Sequence, residues 1–114
     1  MEFSELRHLK LADALGAIPT PEGRLFANLF RHGSLQVEIY APRGVDLQQP
    51  HTRDEIYVVA SGAGWFVNGE KRVPFSTGDV LFAAAGEEHK FADFSTDFAV
   101  WVIFYGPEGG EHDR

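Results

Sequence analysis

The feature that most restricts this chain is how its apolar residues are spaced. They come in short β-type runs separated by turn residues, and that pattern leads to an all-β sandwich or barrel. Residues 25–31 and 35–41 flank His32-Gly33-Ser34, a tight hairpin turn. The runs 65–67 and 70–75 flank Asn68-Gly69, a dipeptide that readily takes positive φ and is a strong short-range hairpin signal. Further runs at 55–60, 80–84 and 89–93 are each bounded by glycine-bearing turns. The segment 98–105 (FAVWVIFY) is apolar on both faces and predicts a strand buried on both sides. Only Leu11 to Leu15, with i, i+4 spacing and Gly16 to cap it, suggests a helix.

With 114 residues there is room for one core. The expected layout is an N-terminal extension over 1–23, a barrel over 24–106 and a Gly- and charge-rich tail over 107–114 that frays. No apolar run reaches the roughly 18–20 residues that span a bilayer. The opening MEFSELRHLK does not read as a secretory signal. The sequence has no cysteine, which removes disulfides, thiolate metal sites and cysteine nucleophiles, and fits the expected cytoplasmic setting. The formal charge is −7, and the largest basic cluster is Lys71-Arg72, too small a stripe for a nucleic acid.

Two clusters carry chemistry. The first is Gly44, then Gln49-Pro50-His51-Thr52-Arg53-Asp54-Glu55, closed by Gly62. In a straight strand His51 and Glu55 share a face but stand about 13 Å apart. One ion can join them only if the chain bends, and Arg53-Asp54 is the place for that bend. The second cluster is Gly78, Gly86, His89 and Asp93.

These residues resemble the two motifs of a small type-2 cupin. His51, Glu55 and Gly62 fall in register with the first motif, with Gln49 where its first histidine stands and Gly44 one residue closer than usual. Gly78, Gly86 and His89 match the second, with Ala84 replacing its proline and Asp93 its asparagine. The resemblance implies an antiparallel double-stranded β-helix, the jelly-roll barrel, whose inward side chains hold a divalent transition metal such as Fe, Mn, Ni, Zn or Cu. Carried over, the ligands are His51, Glu55 and His89, with Gln49 a fourth ligand or a hydrogen-bonding wall. An amide at position 49 loosens binding and shifts preference toward Mn²⁺ or Fe²⁺; without it, two histidines and a carboxylate form a facial set with open positions.

Other residues carry two readings each. Tyr57 shares strand parity with Glu55 and is either a proton donor or a packed aromatic. Phe82, Phe91, Trp101 and Phe104 line an apolar pocket or fill the core. Asp93 either accepts a hydrogen bond from a ligating histidine or ends a strand. Arg53 and Asp54 form a surface pair, with Arg53 also placed to meet a substrate carboxylate. His8, His32 and His112 read as solvated. The functional expectation is a metal-dependent enzyme acting on a small organic molecule: dioxygenase-like first, with isomerase and lyase chemistry also open. The alternative is a non-catalytic binding or sensing module. A homodimer is expected, since paired copies protect sheet edges.

Overall fold

The computed structural model describes residues 7–112 and consists mainly of β-strands. A short helix, α1 (Leu11–Gly16), precedes eight strands: β1 (Phe26–His32), β2 (Leu35–Tyr40), β3 (Asp54–Ser61), β4 (Ala63–Asn68), β5 (Lys71–Ser76), β6 (Val80–Ala83), β7 (His89–Ala92) and β8 (Ala99–Tyr105). They form two antiparallel sheets, ordered β1-β2-β8-β3-β6 and β5-β4-β7. This is the double-stranded β-helix arrangement expected from the motifs.

The turns follow the glycine pattern with one shift. His32 faces Leu35, which leaves Gly33-Ser34 as a two-residue turn with Gly33 at φ 58. Asn68 faces Lys71, so the second turn is Gly69-Glu70, one residue later than the Asn-Gly dipeptide suggests. The helix likewise includes Gly16, and Ala17 takes the cap.

β8 explains its own composition. Hydrogen-bonded to both β2 and β3, it sends Val100, Val102 and Phe104 into the barrel. Trp101 points out and, with Leu9, Leu11, Leu15 and Ile18 around α1, packs against the buried cluster of Ala14, Leu29 and Ile39. The interior is a nest of rings: Tyr57, Phe66, Phe75, Phe91 and Phe98, with Phe91 4.9 Å edge-on to both Tyr57 and Phe98. Gly62 sits where the chain crosses under Phe98. A Cβ there would lie 2.6 Å from Ser95 Oγ and 2.7 Å from Phe98 Cα, so the motif glycine is required by close approach.

Strand parity separates the four aromatics of the expected pocket. Phe91 and Phe104 are interior, Phe82 is half exposed on the outer face, and Trp101 packs outside under α1. Asp54 is not part of a surface pair with Arg53. Its carboxylate is enclosed by neighbouring loops and accepts from the backbone of Ala85 at 2.9 Å and Glu111 at 2.8 Å. Those donors hold its pKa below the ordinary aspartate value. Residues 109 and 111 of the segment expected to fray are thereby tied to the start of β3 and its approach, through Glu111 and through Gly109, which donates to the Thr52 carbonyl; residues 113 and 114 lie outside the described residues. Asp93 is exposed and pairs with Arg72 at 2.7 Å, so it supports no histidine. His8, His32 and His112 are exposed, as expected. Among the described residues no helix is long and apolar enough to cross a membrane.

Candidate functional site

β3 presents Glu55, Tyr57 and Val59 to the interior by strict alternation. Glu55 is 1% exposed and lies deep beside β8, in register with Phe104. His89 enters from the first position of β7, 7% exposed, and its Nε2 is 2.8 Å from Glu55 Oε1. That approach is off the line of a hydrogen bond, so both Glu55 oxygens are buried without a donor.

The hydrogen bonds around His89 fix its chemistry. Nδ1 is 2.7 Å from the Glu87 carbonyl, which can only accept, so Nδ1 carries a proton. In the neutral ring Nε2 then presents a lone pair toward an anionic oxygen. A proton on Nε2 or a cation between the two groups resolves that conflict. Burial draws the His89 pKa down, but Glu55 and the Glu87 carbonyl more than offset it and the net shift is upward. The separation also suits metal ligation. Adjacent ligand atoms on an ion with ~2.1 Å bonds stand about 3 Å apart.

His51 arrives by a bend rather than a strand. Residues 51–53 lie before β3, and the His51 carbonyl is held by the Gly86 amide at 2.7 Å. Its ring packs edge-on to Phe104 at 4.9 Å, and its centroid is 6.2 Å from that of His89. Two imidazoles at adjacent positions on one ion have centroids roughly 5 Å apart. Accordingly, among the described residues no three acidic or imidazole groups converge on one point as they stand. Glu55 and His89 fit a divalent cation, and His51 needs a small inward movement to join them.

The glutamine beside these groups is Gln48. Gln49 is exposed at the rim of a cavity of about 620 Å³ that also has His51 in its wall. Gln48 turns inward, and its Oε1 accepts from the Tyr57 hydroxyl at 3.1 Å. The Gln48 Nε2 donates to Asp46 Oδ2 at 2.7 Å, which fixes the amide orientation. Tyr57 is fully buried, with its hydroxyl also 2.7 Å from His89 Nε2. Burial, then the nearby Glu55 charge, pushes its pKa well above the ordinary phenol value, so it keeps its proton.

Asp46 is the residue that sequence reasoning missed. It accepts from the Tyr40 hydroxyl, the Gln48 backbone and side chain, and the Phe91 amide at 2.8 Å. One carboxylate therefore ties the 42–53 loop to β2 and β7. The available signal was Asp46 two residues before Gln48, the spacing of a side chain that bonds its own backbone two residues on.

The family model for the cupin domain matches residues 36–105. An uncharacterized protein of Streptomyces coelicolor, SCO3923, is 33% identical over 98 residues, covering 84% of this chain and 93% of that protein. Among solved structures, a cupin-2 domain protein from Shewanella frigidimarina superposes with a TM-score of 0.66 at 14% identity, covering 86% of this chain and 94% of the other. A predicted oxalate decarboxylase from Thermotoga maritima gives a TM-score of 0.56 at 26% identity, covering 70% of this chain and 77% of the other.

Proposed function

This chain belongs to the cupin domain family, and from that premise we propose that it is a metal-dependent enzyme holding a divalent transition ion on Glu55, His89 and His51. Its substrate is a compact organic molecule bound in the adjoining cavity. The observation that carries this reading is Glu55, a buried carboxylate whose oxygens accept no hydrogen bond and one of which lies 2.8 Å from the His89 Nε2. Such a group is costly unless a cation joins it. When bound, Fe, Mn, Ni or Zn supplies a Lewis-acidic position with exchangeable sites. Dioxygenase-like chemistry is the first choice. The likeness to a predicted oxalate decarboxylase also keeps lyase chemistry on a small acid in view.

The chain's own residues then have distinct tasks. The Glu87 carbonyl orients His89 so that Nε2 faces inward. Tyr57, enclosed and protonated, serves as a positioning residue for His89 rather than a proton donor to substrate. Gln49 stays outside the ligand set.

Metal analysis and titration of untagged protein test this reading. One ion per chain is expected, with Gln49→His changing affinity by no more than about threefold. Failure to take up a stoichiometric ion at micromolar concentration overturns it. The second reading, a binding module, draws on the donors not converging as they stand. Oxygen uptake with diketones, thiols and catechols separates the two, because a binder gives none.

The proposal includes a homodimer. Val80 and Phe82 of edge strand β6 are 66% and 50% exposed, an apolar edge that a second copy would protect. Light scattering is expected to give twice the 12.7 kDa chain mass. A monomer at micromolar concentration rejects it.

A further inference from the structure

The cavity of about 620 Å³ contains a carboxylate that the proposed metal site does not use. Glu38 lies on the inner side of β2, two residues from each of Gln36 and Tyr40, and all three line this cavity with His51. A strand position facing a barrel interior ordinarily carries an apolar side chain. Here it carries an acid, and Gln36 Nε2, a neutral amide, donates to it at 2.9 Å. Burial raises the Glu38 pKa, only partly offset by Gln36 and by the nearby His51. The Glu38 carboxylate already accepts from Gln36, has a second oxygen to offer, and lines a space large enough for a small ligand.

The rest of the lining is complementary. Leu25, Phe26, Val45, Leu47, Val102 and Phe104 form apolar walls, and Phe26, Val45 and Leu47 are 41%, 60% and 77% exposed there. Arg53 also lines the cavity, its guanidinium 5.8 Å from the centre of the Phe104 ring. The lining therefore offers an acceptor, a cation and apolar surface together.

We propose that this cavity binds a small monocarboxylate with an apolar body and a hydroxyl or amine donor, the donor meeting Glu38 and the carboxylate meeting Arg53. This deepens the enzyme reading by naming its substrate class and rests on it only for the site's use. Binding is measured in EDTA, so loss of metal uptake and loss of this recognition are read separately.

The test uses three probes in calorimetry: 3-(4-hydroxyphenyl)propanoate, 3-phenylpropanoate, which lacks the hydroxyl, and 4-ethylphenol, which lacks the carboxylate. In the wild type the first is expected to bind at least about tenfold tighter than either of the others, as hydrogen bonds to charged groups contribute on that scale. Glu38→Leu should abolish the hydroxyl preference and leave the carboxylate preference intact. Arg53→Met, which keeps an unbranched stem against Phe104, should do the reverse. If Glu38→Leu does not fold, Glu38→Gln should still reduce the hydroxyl preference to about threefold, since a neutral acceptor remains. Equal binding of all three probes, no binding of any, or preferences unchanged in the variants overturns the proposal.

Discussion

Asp46→Ala is expected to destabilise the fold by about 3–5 kcal/mol, measured by urea unfolding in EDTA. The carboxylate is 8% exposed and accepts four hydrogen bonds, from the Tyr40 hydroxyl, the Phe91 amide and two Gln48 donors. Alanine leaves all of these donors without their partner. A buried donor so abandoned costs about 1–3 kcal/mol. The total falls below the simple sum because Tyr40 and Gln48 are only half buried and can turn to water. Phe91 has no such recourse, since it lies in the ring core. Asp46→Asn should fall in between, as it keeps one acceptor oxygen but sets an NH₂ group against other donors. A change below about 1 kcal/mol for alanine would show that the loop is anchored by something else.

Glu55→Gln is expected to lower divalent-metal affinity at least about 100-fold, because it removes the anionic ligand. In EDTA the same variant should be more stable than wild type by about 1 kcal/mol. The amide is neutral and nearly the same shape, so it removes the cost of burying a carboxylate whose oxygens accept no hydrogen bond. Opposite signs for metal affinity and stability distinguish a ligand from a structural residue. Unchanged affinity in metal titration removes Glu55 from the site.

The barrel was legible because its signals are local. The unbroken apolar run over 98–105 and the glycine-bearing turns depend on neighbours in sequence, and each observed strand falls within a few residues of an apolar run. The inward placement of Glu55 and His89 was legible from the motif resemblance, and that of Tyr57 from its parity with Glu55 along β3. What escaped lies in the 42–53 loop, where no period assigns a side chain to a face. There Gln48 rather than Gln49 turns inward, a one-residue difference that a strand would have fixed and a loop does not. Asp46, Asp54 and Asp93 show a second limit. Asp46 and Asp54 are buried acceptors for backbone donors 45 and 57 residues away, whereas Asp93 sits on the surface beside Arg72. Their roles depend on long-range partners, which composition and spacing do not specify.

Gln48 lines both the cavity shared by Glu38 and His51 and a smaller one of about 350 Å³ that reaches His89. Its amide is pinned at one end by Asp46 and at the other by Tyr57. This side chain is therefore a wall common to both cavities, held in place from two directions. Because the Gln48 amide is latched to Asp46, loosening of the 42–53 loop would free a wall that both cavities share.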